Sequence, residues 1–64
     1  MMTDGMTTIR FDDHGTNDDG VVIVRRLEDK VAICLSLERN GDVEALVEKD
    51  VVRRLIAALQ DSIE

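Results

Sequence analysis

The chain contains no proline, tryptophan or tyrosine, one aromatic residue (Phe11) and one cysteine (Cys34). Each scarcity removes a class of structure or function. A lone cysteine cannot close an internal disulfide, and no residues fall at zinc-ligand spacing. A reducing cytoplasm is therefore the expected compartment, the host cytoplasm if the source is a phage. No apolar run reaches the roughly 18 residues of a transmembrane helix. The opening Met1-Met2-Thr3-Asp4-Gly5 lacks the basic and apolar regions of a secretory signal, and residues 1–5 read as a frayed terminus. Basic residues are outnumbered, 8 against 14 acids, for a net charge of −6. A negative field repels nucleic-acid backbones and anionic membranes, so neither is an expected partner.

What remains is one small domain over residues 1–64. Chains this short bury only about 60% of their unfolded surface. Without disulfides or metals, oligomerisation is the common remedy, and a two-fold homodimer is its simplest form. The acids are unevenly placed. Asp4, Asp12, Asp13, Asp18 and Asp19 face only Arg10 in the first twenty residues, whereas the rest of the chain is nearly balanced.

Periodicity predicts three or four strands and a helix. Residues 7–11 (TTIRF) alternate Thr7, Ile9 and Phe11 with Thr8 and Arg10, giving a short strand. Residues 21–28 (VVIVRRLE) open on four β-branched side chains, which favour strands. Residues 31–38 (VAICLSLE) set Val31, Ile33, Leu35 and Leu37 against Ala32, Cys34, Ser36 and Glu38. A fourth strand covers about 42–47. Between the last two, a three-residue loop Arg39-Asn40-Gly41 with left-handed Gly41 pairs Leu37 with Val43, Leu35 with Ala45 and Ile33 with Val47. That register makes one face wholly apolar.

The period then changes. Val52, Leu55, Ile56, Leu59 and Ile63 follow helical spacing over about 49–63, with Glu48 or Asp50 at the start, where a carboxylate suits the dipole. The expected fold is α+β: an antiparallel meander with one C-terminal helix packed on one face. The opposite face should then carry Val22, Val24, Ala32, Cys34, Ser36 and Leu46. That set is too apolar for a solvated surface and suits a second protomer.

The segment FDDHGTNDDG, 11–20, is the most suggestive of chemistry. An EF-hand needs Asp first, Gly sixth and Glu twelfth. Aligning Gly20 puts Gly15 first and Arg26 twelfth, and aligning Gly15 puts Arg10 first, so neither frame fits. Asp12, Asp13, His14, Asp18 and Asp19 remain weak candidates for a looser Ca²⁺ or Mn²⁺ site. The favoured expectation is an acidic loop over 12–20 whose carboxylates are solvated, because Asp, Asn and Gly stabilise turns locally. No cofactor is expected.

His14 with Cys34 or Ser36 could form a nucleophile and base, but no third residue would orient them. A cysteine within an apolar strand is usually a packed hydrophobe, so no catalytic residues are assigned. Arg25-Arg26 and Arg53-Arg54 are the only basic pairs. Without a basic stripe or stacking aromatics they do not indicate nucleic-acid binding. Salt bridges to Glu28, Glu38 or Glu44 are their expected use. Val22, Val24, Arg26, Cys34 and Ser36 are weak candidates for contact with a ligand or partner.

Residues 41–62, GDVEALVEKDVVRRLIAALQDS, resemble the strand–cap–helix ending of small uncharacterised proteins from actinobacteria and their phages. Val52-Arg53-Arg54-Leu55-Ile56-Ala57-Ala58-Leu59 carries the match in the helix. Glu48-Lys49 replaces the Thr-Pro of that pattern. The resemblance spans about a third of the chain and implies a source but no catalytic residues. These features together suggest a non-catalytic interaction protein, a phage or bacterial accessory protein acting as a homodimer that binds a host protein or sequesters a small ligand. An antitoxin-like regulatory module and a metal-binding protein acting through the acidic loop are the alternatives.

Overall fold

The computed structural model describes residues 5–64. The expectation of a frayed start, apart from Gly5, lies outside them. Gly5 itself is tied down: its carbonyl accepts the Arg26 N–H at 3.4 Å. Four antiparallel strands lie side by side in chain order, β1 (Met6–Asp13), β2 (Asp18–Leu27), β3 (Lys30–Leu37) and β4 (Gly41–Glu48). The helix α1 (Lys49–Ser62) follows. The α+β meander expected from the change of period is the fold adopted.

Both strands of the first hairpin are longer than their periodicity indicates. The loop expected over 12–20 contracts to the turn 14–17, and the ladder continues through Asp12↔Asp19 and Asp13↔Asp18. Like charges directly opposite one another disfavour pairing. Here the apolar pairs below, Ile9↔Val22 and Phe11↔Gly20, set the register and carry the aspartates with them. The turn supplies its own support. Asp13 accepts the Gly15 N–H at 3.0 Å and the Thr16 hydroxyl at 2.6 Å, and Asn17 adopts the left-handed φ of 60° that asparagine tolerates.

The last hairpin differs from expectation by two residues. Leu37 pairs with Gly41, Leu35 with Val43, Ile33 with Ala45 and Val31 with Val47. The loop is 38–40, not 39–41. A shift of two preserves the faces, since side chains alternate with period two, so alternation could not choose between the registers. Gly41 has φ 89°, a region β-branched residues resist. Gly41→Val should cost more than about 1 kcal/mol in thermal or urea unfolding. No heavy atom lies within 4 Å of a Cβ built there, so that loss would be backbone strain and not a clash. An unchanged midpoint would place the turn's constraint elsewhere.

The β2 faces also need correction. A two-residue turn at 28–29 sets Val22 opposite Leu35 and Val24 opposite Ile33, with Val21 opposite Ser36 and Ile23 opposite Cys34. Val22 and Val24 therefore do not share a face with Ala32, Cys34, Ser36 and Leu46. One sheet face now carries Ile9, Phe11, Val22, Val24, Ile33, Leu35, Leu37 and Val43, with Arg26 its only basic residue and Asp13 and Asp18 at its turn end. The other mixes Arg10, Asp19, Arg25, Lys30 and Glu44 with Ile23, Ala32 and Cys34. On the apolar face Phe11 lies over Gly20, where a Cβ would be 2.5 Å from its ring. The glycine leaves the hollow into which the only aromatic ring fits.

Among the described residues the sheet lacks a full second layer. Ala32 is the only buried apolar residue among those described, and no large side chain there is fully buried. The helix touches β4 and β3, but Val52 is its only half-buried residue. The packing of helix on sheet expected from the amphipathic stripe is thus confined to the helix start. A compact protein of 7.2 kDa would expose about 4,100 Å², yet this chain exposes 5228 Å². Its radius of gyration, 13.0 Å, likewise exceeds the roughly 11 Å of a compact chain this long.

Candidate interaction surface

Two apolar surfaces lie open, the sheet face just described and the outer stripe of α1. On the sheet, Ile9 is 55% and Val43 64% exposed; on the helix, Ile56 is 60% and Leu59 57% exposed. Scattered exposed apolar residues are ordinary, but contiguous patches of this kind mark interaction sites. The mixed face leaves Met6 and Leu46 exposed but interleaves them with charged groups. Arg25 of β2 reaches over β3 to Glu44 of β4 at 3.3 Å. This is one of the salt bridges the sequence suggested, and it spans the strand that carries Ala32. It joins half-exposed groups, so it fixes side-chain position more than it stabilises. Arg26, Arg53 and Arg54 make no ion pair among the described residues.

The weak candidates for ligand contact are divided by the sheet. Val22, Val24 and Arg26 belong to the apolar face, Cys34 and Ser36 to the mixed one. His14 is exposed in the β1–β2 turn and Cys34 lies midway along β3 opposite Ile23, and no hydrogen bond links His14 to Cys34 or Ser36. Ser36 borders a shallow groove of about 370 Å³ with Arg10, Asp19 and Glu38.

The acidic segment has a different role from a solvated connector. Asp18 is 3% exposed and is the one buried charged residue among those described. Its carboxylate accepts the Arg39 N–H at 2.9 Å, the Asn40 side-chain amide at 2.8 Å and the Arg39 Nε at 3.3 Å. Its own neighbour, the Asp19 N–H, adds a fourth donor at 2.8 Å. Arg39 also donates to the Asn17 carbonyl at 2.7 Å. Asp18 therefore clamps the β3–β4 turn to the start of β2. Burial alone pushes its carboxyl up, but the donors from Arg39, Asn40 and Asp19 together outweigh this and hold it below the ordinary value. Asp13 is also lowered, first by the Thr16 hydroxyl and then by the Gly15 N–H.

The sequence did contain a signal for this clamp. In a four-strand meander the first and third turns lie at the same end of the sheet, so an aspartate in one can meet the donors of the other. Asp12, His14 and Asp19 are exposed and Asp13 is held within its own turn. Among the described residues no three His, Cys, Asp or Glu side chains converge as a metal site would require. No described helix is long and apolar enough to cross a membrane. Compared with protein-family models, curated proteins and solved structures, the chain matches none.

Proposed function

We propose that the chain is a non-catalytic interaction protein, a phage or bacterial accessory protein that works as a homodimer and binds a host protein or holds a small ligand between its subunits. The supporting observation is the missing second layer. A sheet apolar on one face and an amphipathic helix each require a covering surface. This protomer exposes both, with Ala32 its only buried apolar residue among those described. The excess exposure is on the order of 1,100 Å² per chain against a compact monomer. Two chains together could remove roughly 2,200 Å², which falls in the range of obligate homodimers. The open grooves and the lack of any link between His14 and Cys34 or Ser36 favour binding over catalysis.

Analytical ultracentrifugation at micromolar concentration should give twice the 7.2 kDa chain mass. The urea midpoint should rise with protein concentration, because unfolding is then coupled to dissociation. A monomer with a concentration-independent midpoint would remove the homodimer. Co-purification from host lysate with mass spectrometry then asks whether the dimer carries a protein, a nucleotide or another ligand.

A further inference from the structure

We infer that each protomer's helix α1 covers the apolar sheet face of a second copy, so that the dimer forms by reciprocal exchange of helices. This rests on the homodimer proposed above and specifies its geometry.

The connection between β4 and α1 is the first argument. Glu48 is both the last residue of β4 and the cap of the helix, with φ −78° and ψ 158°. No loop separates the two elements. A helix that folds back over its own sheet ordinarily follows a loop of about two to six residues. Without one, α1 leaves the end of β4 and only its start meets the sheet, with Val52 half-buried and Leu55, Ile56, Leu59 and Ile63 exposed. The helix covers its own sheet only at its start, and its exposed remainder is free to cover another's.

Dimensions agree. A helix of 14 residues is about 21 Å long, and a strand of 8 residues about 26 Å. Two-fold symmetry supplies one helix to each sheet and leaves no open chain of further contacts.

Charge gives the third argument. The last turn of α1 holds Asp61 and no basic residue, with Glu64 just beyond, at the negative end of the helix dipole. Acids there are unfavourable unless a cation approaches. Arg26 is the only basic residue on the apolar sheet face, it is exposed, it lies at the end away from Asp13 and Asp18, and it makes no ion pair among the described residues. Setting the end of the helix near Arg26 of the partner subunit would satisfy both and fix the helix direction.

The test uses the unaltered chain. Isotopically labelled and unlabelled protein are mixed, unfolded and refolded together, and isotope-filtered NMR then records only contacts between protomers. Methyl groups of Leu59 and Ile63 should contact those of Val22, Val24 and Ile33 across the interface. Contacts between protomers confined to sheet against sheet, or to helix against helix, would overturn the exchange while leaving the homodimer intact. A monomer by sedimentation would overturn both. The charge pairing has its own arm. Arg26→Glu should weaken the dimer about tenfold, in keeping with loss of an interfacial charge pair, and Arg26→Glu combined with Glu64→Lys at the helix end should restore it. Failure of that rescue would overturn the proposed helix direction.

Discussion

Leu59→Asp should dissociate the proposed homodimer and unfold the chain, although Leu59 is 57% exposed in the structure. A substitution at so open a site on a monomer changes stability by about 0.5 kcal/mol or less. If the helix stripe is covered by a second copy, the same change buries an unpaired carboxylate at each of two equivalent positions. The cost is then on the order of 3 kcal/mol per site. A chain whose only buried apolar residue among those described is Ala32 has little reserve against that loss. The expected outcome is loss of the dimer in sedimentation, with loss of the cooperative thermal transition by circular dichroism. Ala57→Asp is the control. It introduces the same side chain into the same helix at a similar cost in propensity, but on the polar side. It should leave assembly intact. Equal behaviour of the two variants would show that the stripe faces solvent in the working protein.

Asp18→Ala should lower the melting temperature by roughly 5–10 °C, a large effect for a chain this small. It strips partners from the Arg39 N–H, the Arg39 guanidinium and the Asn40 amide together, and donors left without partners cost more than a hydrogen bond gains. Asn40→Ala removes one of these contacts and should give a smaller loss. Asp12→Asn and Asp19→Asn should be neutral or slightly stabilising, since both side chains are exposed and like-charge repulsion falls.

Acid provides an independent check on the clamp. The folded Asp18 carboxyl titrates below its ordinary value of 3.8, so its contribution is complete above that value and is lost as pH falls below it. Asp13, lowered by Thr16, and Asp29, lowered by the adjacent Lys30 ammonium, add to the same acid limb. Asp18→Asn cannot titrate at that position, so its melting temperature should fall less steeply than the wild type's below about pH 4. An acid limb of unchanged slope would mean that Asp18 is solvated and that the two turns are held together by the ladder alone.

The elements were legible in the sequence because each rests on a local repeat. Val31, Ile33, Leu35 and Leu37 could only be one face of a strand, and Val52, Leu55, Ile56, Leu59 and Ile63 only one side of a helix. The extension of the first hairpin was not legible. Asp12, Asp13, Asp18 and Asp19 have poor strand propensity, and what places them in the ladder is the pairing of Ile9 with Val22 below them. Propensity is weighed residue by residue, whereas register is a property of the pair.

The sequence by itself determined the strands, the helix, their order and the apolar character of one surface on each, since side-chain alternation and helical spacing require nothing beyond the chain's own next few residues. Only the tertiary structure decided how the strands meet. Turns at 28–29 and 38–40 chose which side of β2 joins Leu35 and which residue faces Val43, and alternation is indifferent to a shift of two. Tertiary structure also turned Asp18 from a loop acid into the acceptor for Arg39 and Asn40, because the meander brings together two turns twenty residues apart in the chain. It left most of the helix stripe uncovered for an equally physical reason: with no residue between β4 and α1, only the start of the helix meets the sheet.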